Sequence, residues 1–247
     1  MIEIAAKTDR GNVRAVNQDF IAFKAFGDHE ALAVLCDGMG GHKAGEVASA
    51  MTGNYLMKHF ASHPEFKKVR DIRKWCVGLI QQVNTIINRE GTLKPEYEGM
   101  GTTIVLAYVL SGVFYIASVG DSRAYLLEED GLTQITRDDT LVNALVASGY
   151  ITELEAQYHP RRNVLVQAVG VSTPLKVAFH TGMMTGPLLL CSDGLYNSLN
   201  DEEMADILSE DKPLHDICDN MVAQANRLGG YDNISVMILK EGGASDE

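Results

Sequence analysis

The chain has 247 residues, of which 46% are hydrophobic and 22% charged, and its formal net charge at pH 7 is −12. This composition is that of a folded protein with a sizeable core. The excess of acidic residues argues against a nucleic-acid or anionic-membrane surface, because both need clustered Lys and Arg. The cysteines are widely spaced, which argues against a disulfide framework or a zinc site. With no apolar stretch of membrane-spanning length and no secretory signal at the N-terminus, we expect a cytoplasmic protein.

The first third of the chain predicts strands followed by two long helices. A short alternating segment favours an edge strand, and the two apolar runs after it favour further strands. The next two segments carry apolar residues at helical spacing. The predicted strands are Ile2–Lys7, Phe20–Phe26 and Ala31–Asp37, and the predicted helices are Glu46–His59 and Arg70–Asn88.

From Gly101 onward the sequence is dense in strand signals that are separated by turn residues. We interpret Ser111-Gly112 and Gly120-Asp121-Ser122 as hairpin connections. The predicted strands are Thr102–Leu110, Gly112–Val119, Arg123–Glu129, Leu132–Thr136, Val164–Val169, Leu175–His180, Leu188–Cys191 and Ile234–Leu239. The predicted helices are Leu141–Ala147, Glu153–Gln157, Asp201–Leu208 with Asn200 as its N-cap, and Leu214–Ala225.

Residues 139–162 have little apolar mass and many turn residues, so we interpret them as a mobile flap beside the sheet. The order of elements is strands, two helices, more strands, two helices and a final strand. This order is not the alternation of a doubly wound parallel sheet. It predicts an α+β fold of antiparallel sheets with helices on the outer faces. We expect one domain over residues 1–240 and a frayed polar tail at 241–247.

Four aspartates stand at the margins of strong strand signals: Asp37, Asp121, Asp193 and Asp232. Each alone is also an ordinary turn residue. If the margins share one rim, the carboxylates converge and stay ionised only with cations between them. A donor set made of oxygen indicates Mg²⁺ or Mn²⁺. Two such ions bridged by one Asp would lower the pKa of a shared water and make it a nucleophile.

Two further features suit a phosphate reaction. Asp37 is followed by glycines at Gly38, Gly40, Gly41 and Gly45, whose backbone can approach a ligand closely. Arg14 offers a planar guanidinium to phosphate oxygens, the alternative being an ordinary surface arginine.

Seven motifs follow one another along the chain: RxxNQD at 14–19, LCDGMGGHKAGE at 35–46, GTT at 101–103, VGDSRAY at 119–125, HPRRNVLVQAVG at 159–170, CSDGL at 191–195 and GGYDNISV at 229–236. In these motifs and their order the chain resembles the metal-dependent serine/threonine protein phosphatases of type 2C, in the form of a bacterial catalytic domain. The resemblance extends from about Thr8 to Leu239. It implies a four-layer α-β-β-α sandwich of two antiparallel sheets flanked by helix pairs.

The resemblance also implies a metal site that holds two Mn²⁺ or Mg²⁺ ions. Asp37 would bridge them, the backbone carbonyl of Gly38 would bind one ion, and Asp193 and Asp232 would bind the other. Asp121, helped by Asp193, would hold a weaker third ion.

The same resemblance implies roles around the metals. Arg14 would bind the phosphate of phosphoserine or phosphothreonine. Gln18 and Asp19 would lie near the ions, Asp19 acting through water, and Asn233 would brace the loop that carries Asp232. The flap, from Asn143 to Arg162, would take part in substrate selection.

Three departures from the family pattern limit this transfer. Met39 stands where eukaryotic members often carry a His that protonates the leaving group, so we assign no side-chain acid and favour a metal-bound water; His42, nearby in sequence, is not assigned that role. Bacterial members often have Asp-His-Ser before the flap, whereas this chain has DDT at 138–140. Gln18 replaces the Glu of some relatives.

We therefore expect a protein serine/threonine phosphatase that hydrolyses phosphomonoesters in one step and reverses serine/threonine kinase signalling. Its partners would be phosphorylated proteins, including such a kinase, with no nucleic acid and no membrane span, and it would act as a monomer. One alternative is a catalytically silent binding module with the same fold. The other is a metal-dependent phosphoesterase for small molecules.

Overall fold

The computed structural model of the chain describes residues 1–39 and 44–242. Its strands are β1 (Ile2–Asp9), β2 (Asp19–Gly27), β3 (Glu30–Met39), β4 (Gly101–Thr102), β5 (Ile104–Leu110), β6 (Val113–Val119), β7 (Arg123–Glu128), β8 (Gly131–Gln134), β9 (Ala178–Met183), β10 (Leu188–Cys191) and β11 (Ile234–Glu241). Its α-helices are α1 (Ala44–Phe60), α2 (Val69–Leu93), α3 (Leu141–Ala147), α4 (Glu153–Gln157), α5 (Asp193–Tyr196), α6 (Asp201–Leu208) and α7 (Leu214–Arg227), and a short 3-10 helix covers Pro95–Tyr97.

The strands form two antiparallel sheets. One has the order β1-β11-β10-β7-β8, and the other has the order β2-β3-β5-β6-β9, with β4 paired to β3. β1 is an edge strand, as its alternating sequence predicts. The α+β prediction and the two antiparallel sheets are confirmed.

Three apolar layers hold the sandwich together. The layer between the sheets contains apolar side chains such as Ala33, Leu190 and Met237. Helices α1 and α2 cover the outer face of the β2-to-β9 sheet, and α6 and α7 cover the other outer face. The four-layer α-β-β-α arrangement is therefore confirmed, with central strands such as β5 and β10 buried on both faces. Among the described residues, no helix combines the length and the apolar composition needed to cross a bilayer.

The connection at Gly120-Asp121-Ser122 is not the hairpin that the sequence predicts. Strand β6, before it, pairs with β5 and β9, whereas β7, after it, pairs with β8 and β10 in the other sheet. The chain changes sheet here, with Gly120 at φ +98° packed against Thr103. The prediction of turn residues at 120–122 is correct, but this turn connects the two sheets, and Asp121 lies where the chain passes from one to the other. The other predicted hairpin, at Ser111-Gly112, joins β5 to β6 and is confirmed.

The strand predicted at Val164–Val169 is also wrong. Its two ends bond to different partners: Val166 N–H donates to the carbonyl of Asp139, and Val169 N–H to that of Thr102. Val164 and Val166 are nearly half exposed, so the apolar run does not lie in a sheet. The next strand, expected to begin at Leu175, begins at Ala178.

Candidate metal and phosphate site

The predicted site residues lie on loops and strand ends at one rim of the sandwich. The strand β3 ends with Asp37 and Gly38, and β10 leads through Ser192 into Asp193, the first residue of α5. Asp232 precedes β11, Asp121 lies in the crossing between the sheets, and Arg14 and Gln18 lie between β1 and β2. A cavity of about 310 Å³ is lined by Arg14, Gln18, Asp37, Gly38, Met39, Thr103, Asp121, Asn163, Leu165, Asp193, Asp232 and Asn233.

Asp37 is held in place through its own backbone N–H and carbonyl groups. Its N–H donates to Thr103 Oγ1 at 2.9 Å, and its carbonyl accepts from Thr102 Oγ1 at 2.8 Å. Thr103 in turn exchanges a hydrogen bond with Ser122 Oγ at 2.7 Å. These contacts explain the GTT motif, to which sequence reasoning assigned no role, and they fix the backbone from which the Asp37 carboxylate projects.

Gly38 permits the tight approach of three segments. A Cβ at this position would collide with the carbonyl oxygens of Gly45 and Gln18. Its N–H donates to the Gln18 carbonyl at 3.1 Å. Glycine is therefore required here by packing, and the backbone of this residue lies on the cavity wall. The prediction for the loop glycines Gly40 and Gly41, like His42, lies outside the described residues.

Asp19 lies behind the cavity, opposite Asp37 in the register of β2 and β3. Its Oδ2 accepts hydrogen bonds from Ser192 Oγ at 2.8 Å and Ser235 Oγ at 2.6 Å. Its Oδ1 is buried and makes no hydrogen bond within the described part of the chain. The two serines, which the sequence did not single out, therefore fix Asp19 with one acceptor atom to spare.

Burial and mutual repulsion set the protonation of the carboxylates. Burial, followed by the charges of Asp19 and Asp193, raises the pKa of Asp37 well above its usual range. Burial, followed by the charge of Asp232, raises the pKa of Asp193 to about 8. Burial raises the pKa of Asp19 and of Asp121 to about 6. Acidic oxygens so crowded favour a bound cation, which would offset both effects.

The donor chemistry fits hard divalent cations. The acidic groups of the cavity are carboxylates, accompanied by a backbone carbonyl, and these are the ligands that Mg²⁺ and Mn²⁺ take. Among the described residues, no three acidic, His or Cys side chains are gathered closely enough to enclose one ion alone. An ion held here would therefore need water molecules to complete its coordination.

Among the described residues that line the cavity, Arg14 is the one cation. Its Nη2 donates to Asp232 Oδ2 at 2.6 Å, and its side chain is 51% exposed. Asn233, by contrast, is 5% exposed: its Nδ2 donates to the carbonyls of Arg10 and Val16, and its Oδ1 accepts from the Gln18 N–H. These hydrogen bonds hold the loop that carries Arg14 against the chain segment that contains Asp232.

Comparison with known proteins identifies the family. The family model for protein phosphatase 2C matches residues 10–228. The chain belongs to the protein phosphatase 2C family. It is accordingly a metal-dependent phosphoprotein phosphatase, and both the recognition from motifs and the prediction of an enzyme are confirmed.

Relatives of this phosphatase match it over nearly their whole length. A serine/threonine phosphatase from Listeria welshimeri is 38% identical over 95% of this chain and 94% of its own. The protein phosphatase PhpP of Streptococcus pneumoniae is 34% identical over 96% of this chain and 97% of its own. The solved structure of the S. agalactiae serine/threonine phosphatase is 35% identical and superposes with a TM-score of 0.92, covering 98% of this chain and 100% of that one.

The DDT sequence at 138–140 has clear partners in this family member. Asp138 forms a two-point ion pair with Arg123, with a distance of 2.8 Å between Nη2 and Oδ2. Asp139 Oδ2 accepts from the Gly120 N–H at 3.0 Å, and Thr140 caps α3. The tripeptide thus fastens the start of the flap to the crossing that carries Asp121. DDT therefore has a structural role here, although it differs from the Asp-His-Ser of many bacterial members.

A second cavity, of about 500 Å³, lies between the flap and the same crossing. Asp121 lines both cavities, so the two are neighbours. Arg123 lies on the ring of Tyr196, 3.6 Å from its centroid, and the Tyr196 hydroxyl donates to the carbonyl of Asp121 at 3.1 Å. Asp121 is therefore held through its backbone carbonyl by the side chain of a packed aromatic residue.

Proposed function

We propose that this chain hydrolyses phosphoserine and phosphothreonine in proteins at the cavity that Asp37, Asp193 and Asp232 line, and that it reverses the action of a serine/threonine kinase. Membership of the protein phosphatase 2C family supports phosphatase activity. The relatives described above are serine/threonine phosphatases, which supports the choice of substrate. The observation that carries the proposal is the convergence of these carboxylates and Arg14 on one cavity.

We assign the metal ligands as follows. Asp37 would contact both of two core ions, the Gly38 carbonyl would serve one of them, and Asp193 and Asp232 would serve the other. Asp121, with Asp193, would hold a weaker third ion. When bound, Mn²⁺ or Mg²⁺ would supply a water acidic enough to attack phosphorus and positive charge for the phosphoryl oxygens.

The remaining residues position the substrate. Arg14 would donate its planar fork to two phosphoryl oxygens while the Asp232 carboxylate keeps it aimed at the cavity. Asp19 would accept a proton, or a hydrogen bond from a water, at its spare Oδ1. Gln18 and Asn233 would hold the loops that form the cavity wall in position. Met39 lines the cavity at the end of β3, and its thioether has no proton to give to the leaving oxygen.

The test is turnover of p-nitrophenyl phosphate and of a phosphothreonine peptide, with and without Mn²⁺, by wild type and Asp193→Ala. We expect Mn²⁺-dependent turnover that the substitution lowers at least about 10³-fold, since it removes a ligand of the site. Asp206→Ala, which removes an exposed aspartate of α6, is the matched control and should leave turnover unchanged.

The other outcomes assign the protein to the alternatives. Absence of turnover by the Mn²⁺-loaded wild type would indicate a binding module. Faster hydrolysis of a nucleotide or sugar phosphate than of the phosphopeptide would indicate a small-molecule phosphoesterase. We further propose that the phosphatase acts as a cytoplasmic monomer in which residues 1–240 form one domain.

A further inference from the structure

A large groove lies on the outer helical layer. It is formed by the first half of α2 and by the chain segment that leads into this helix. Its volume is about 1130 Å³. We call it the basic groove and define it by Phe66, Lys67, Arg70, Arg73, Lys74 and Trp75, with Val177 at its edge.

The charge of this groove is opposite to that of the molecule. Its lining contains four cations, Lys67, Arg70, Arg73 and Lys74, against two acids, Glu65 and Asp71, in a chain whose net charge is −12. Lys67, Arg70 and Lys74 are exposed, and none of them makes an ion pair within the described part of the chain. Cations elsewhere are often paired, as Lys7 is with Asp219 and Lys212 with Glu210. The basic groove therefore carries a net positive charge, and three of its cations have no ion-pair partner among the described residues.

The floor of the basic groove is aromatic. The Trp75 ring meets the Phe66 ring edge-on, with centroids 6.2 Å apart. Arg73 lies over the ring of Phe179, 5.9 Å from its centroid. The Trp75 Nε1 atom is buried and has no hydrogen-bond partner among the residues described. A groove with an aromatic floor and cationic walls suits an occupant that carries both apolar and acidic side chains.

The basic groove is far from the catalytic cavity. Helix α1 begins beside the cavity, where Gly45 packs on Gly38, and it ends at Phe60, close to the groove. Its 17 residues span about 25 Å at 1.5 Å per residue. A molecule in the basic groove therefore leaves Arg14 and the carboxylates accessible.

We propose that the basic groove docks an acidic, aromatic-containing segment of a partner protein. The groove follows the helix from Arg70 to Gln82, about 20 Å, which accommodates roughly six extended residues. Nucleic acid and anionic membranes are poorer occupants, because the strongly acidic remainder of the chain repels an extended anionic surface. A short acidic peptide meets only the local positive field.

The chain carries its own reporter for this test, because Trp75 is its only tryptophan. A heptapeptide of alternating glutamate and phenylalanine is titrated into the full-length protein while Trp75 emission is followed. We expect a saturable shift that weakens as salt is raised. The double variant Arg70→Glu, Lys74→Glu should weaken binding at least about tenfold, since two contacting charges are reversed. This double variant should leave turnover of p-nitrophenyl phosphate unchanged.

The double variant Lys212→Glu, Lys240→Glu is the matched control, because it changes net charge equally on the other sheet and its helices. An equal loss of binding in this control would overturn the proposal in favour of general charge attraction. So would a failure to saturate, or tighter binding of a DNA oligonucleotide or of phosphatidylglycerol vesicles than of the peptide. A doubling of mass without peptide that the groove variant abolishes would instead identify a second copy of the chain as the occupant.

Discussion

The ion pair between Arg14 and Asp232 joins the proposed phosphate-binding residue to a proposed metal ligand. At 2.6 Å between Nη2 and Oδ2, one arm of the guanidinium is engaged, and the half-exposed remainder faces the cavity. A phosphate would offer the same kind of anionic oxygen to the free N–H groups. Because the ion pair with Asp232 already restricts the Arg14 side chain, less conformational entropy is lost when a phosphate binds.

Replacing Arg14 tests this function. We expect Arg14→Ala to lower kcat/KM for the phosphothreonine peptide about 10²-fold, the usual effect of removing one donor to a developing anion. Arg14→Lys should recover only part of the loss, because an ammonium lacks the planar fork. Arg10→Ala, an exposed arginine in the same loop, is the control. Steady-state kinetics with unchanged kcat/KM in Arg14→Ala would refute the role.

Asn233 is a small side chain with an unusually complete set of partners. It makes three side-chain hydrogen bonds to the backbone of residues 10–18 while 5% exposed. Truncation leaves buried backbone groups unpaired, at about 1 kcal/mol for each bond. Asn233→Ala should therefore lower the free energy of unfolding by about 3 kcal/mol and reduce kcat as well.

The matched control for Asn233 is Asn12→Ala. Asn12 also bonds to two carbonyls across the same pair of loops, but it is exposed, so water replaces the lost bonds. Urea denaturation should show a loss of less than about 1 kcal/mol for this variant. Equal losses of unfolding free energy in the two variants would show that burial does not determine the contribution of Asn233 to stability.

At the scale of elements, the flap is tied down at its base and lightly packed beyond it. Asp138 and Asp139 anchor its start, but α3 and α4 each contribute one buried side chain, Val142 and Ala156. Helix α7, also on the surface, buries six. Few buried apolar contacts give a low free energy of local opening.

Hydrogen exchange measures this difference. We expect the amides of α3 and α4 to exchange at least about 10²-fold faster than those of β5 (Ile104–Leu110), with α7 nearly as protected as the strand. Flap amides as slow as those of β5 would contradict the predicted mobility.

The elements also show what the sequence could predict. Helices α3, α4 and α6 and strand β10 have the bounds that their periodicity and caps indicate, because those signals are local. The sheet change at Asp121 could not be predicted, since a glycine turn looks the same whether it joins neighbouring strands or two sheets. The short helix α5, which places Asp193 at its first residue, was missed because four residues carry no periodic signal.

The same limit applies to the site. Motif order predicted which aspartates to consider, and the structure places them around one cavity. Neither composition nor spacing indicated Ser192, Ser235 and Thr103, since single hydroxyls are common in any sequence. Their importance appears only when β10 and β11 of one sheet meet β2 and β3 of the other at the rim.

At the scale of the whole molecule, the buried carboxylates link stability to pH. The folded-state pKa of Asp193 is about 8, above the value of about 3.9 in an unfolded chain, so the metal-free folded state holds its proton more tightly. The contribution of Asp193 is fully present below about pH 4 and is lost as pH rises through about 8. Asp19 and Asp121, with pKa values of about 6, act in the same direction over a lower range.

We therefore expect the metal-free protein, in the presence of a chelator, to have a lower urea midpoint at pH 8 than at pH 5.5. Millimolar Mn²⁺ should reverse this order, because metal ions bind deprotonated carboxylates and bind more tightly as pH rises. Asp193→Asn removes one titrating group and should flatten the metal-free dependence, whereas Asp206→Asn should leave it as in wild type. A metal-free midpoint that rises from pH 5.5 to pH 8 and is unaffected by Asp193→Asn would show that these carboxylates are not the groups that link folding to protons. Metal binding would then have to be explained without the release of protons from the cavity.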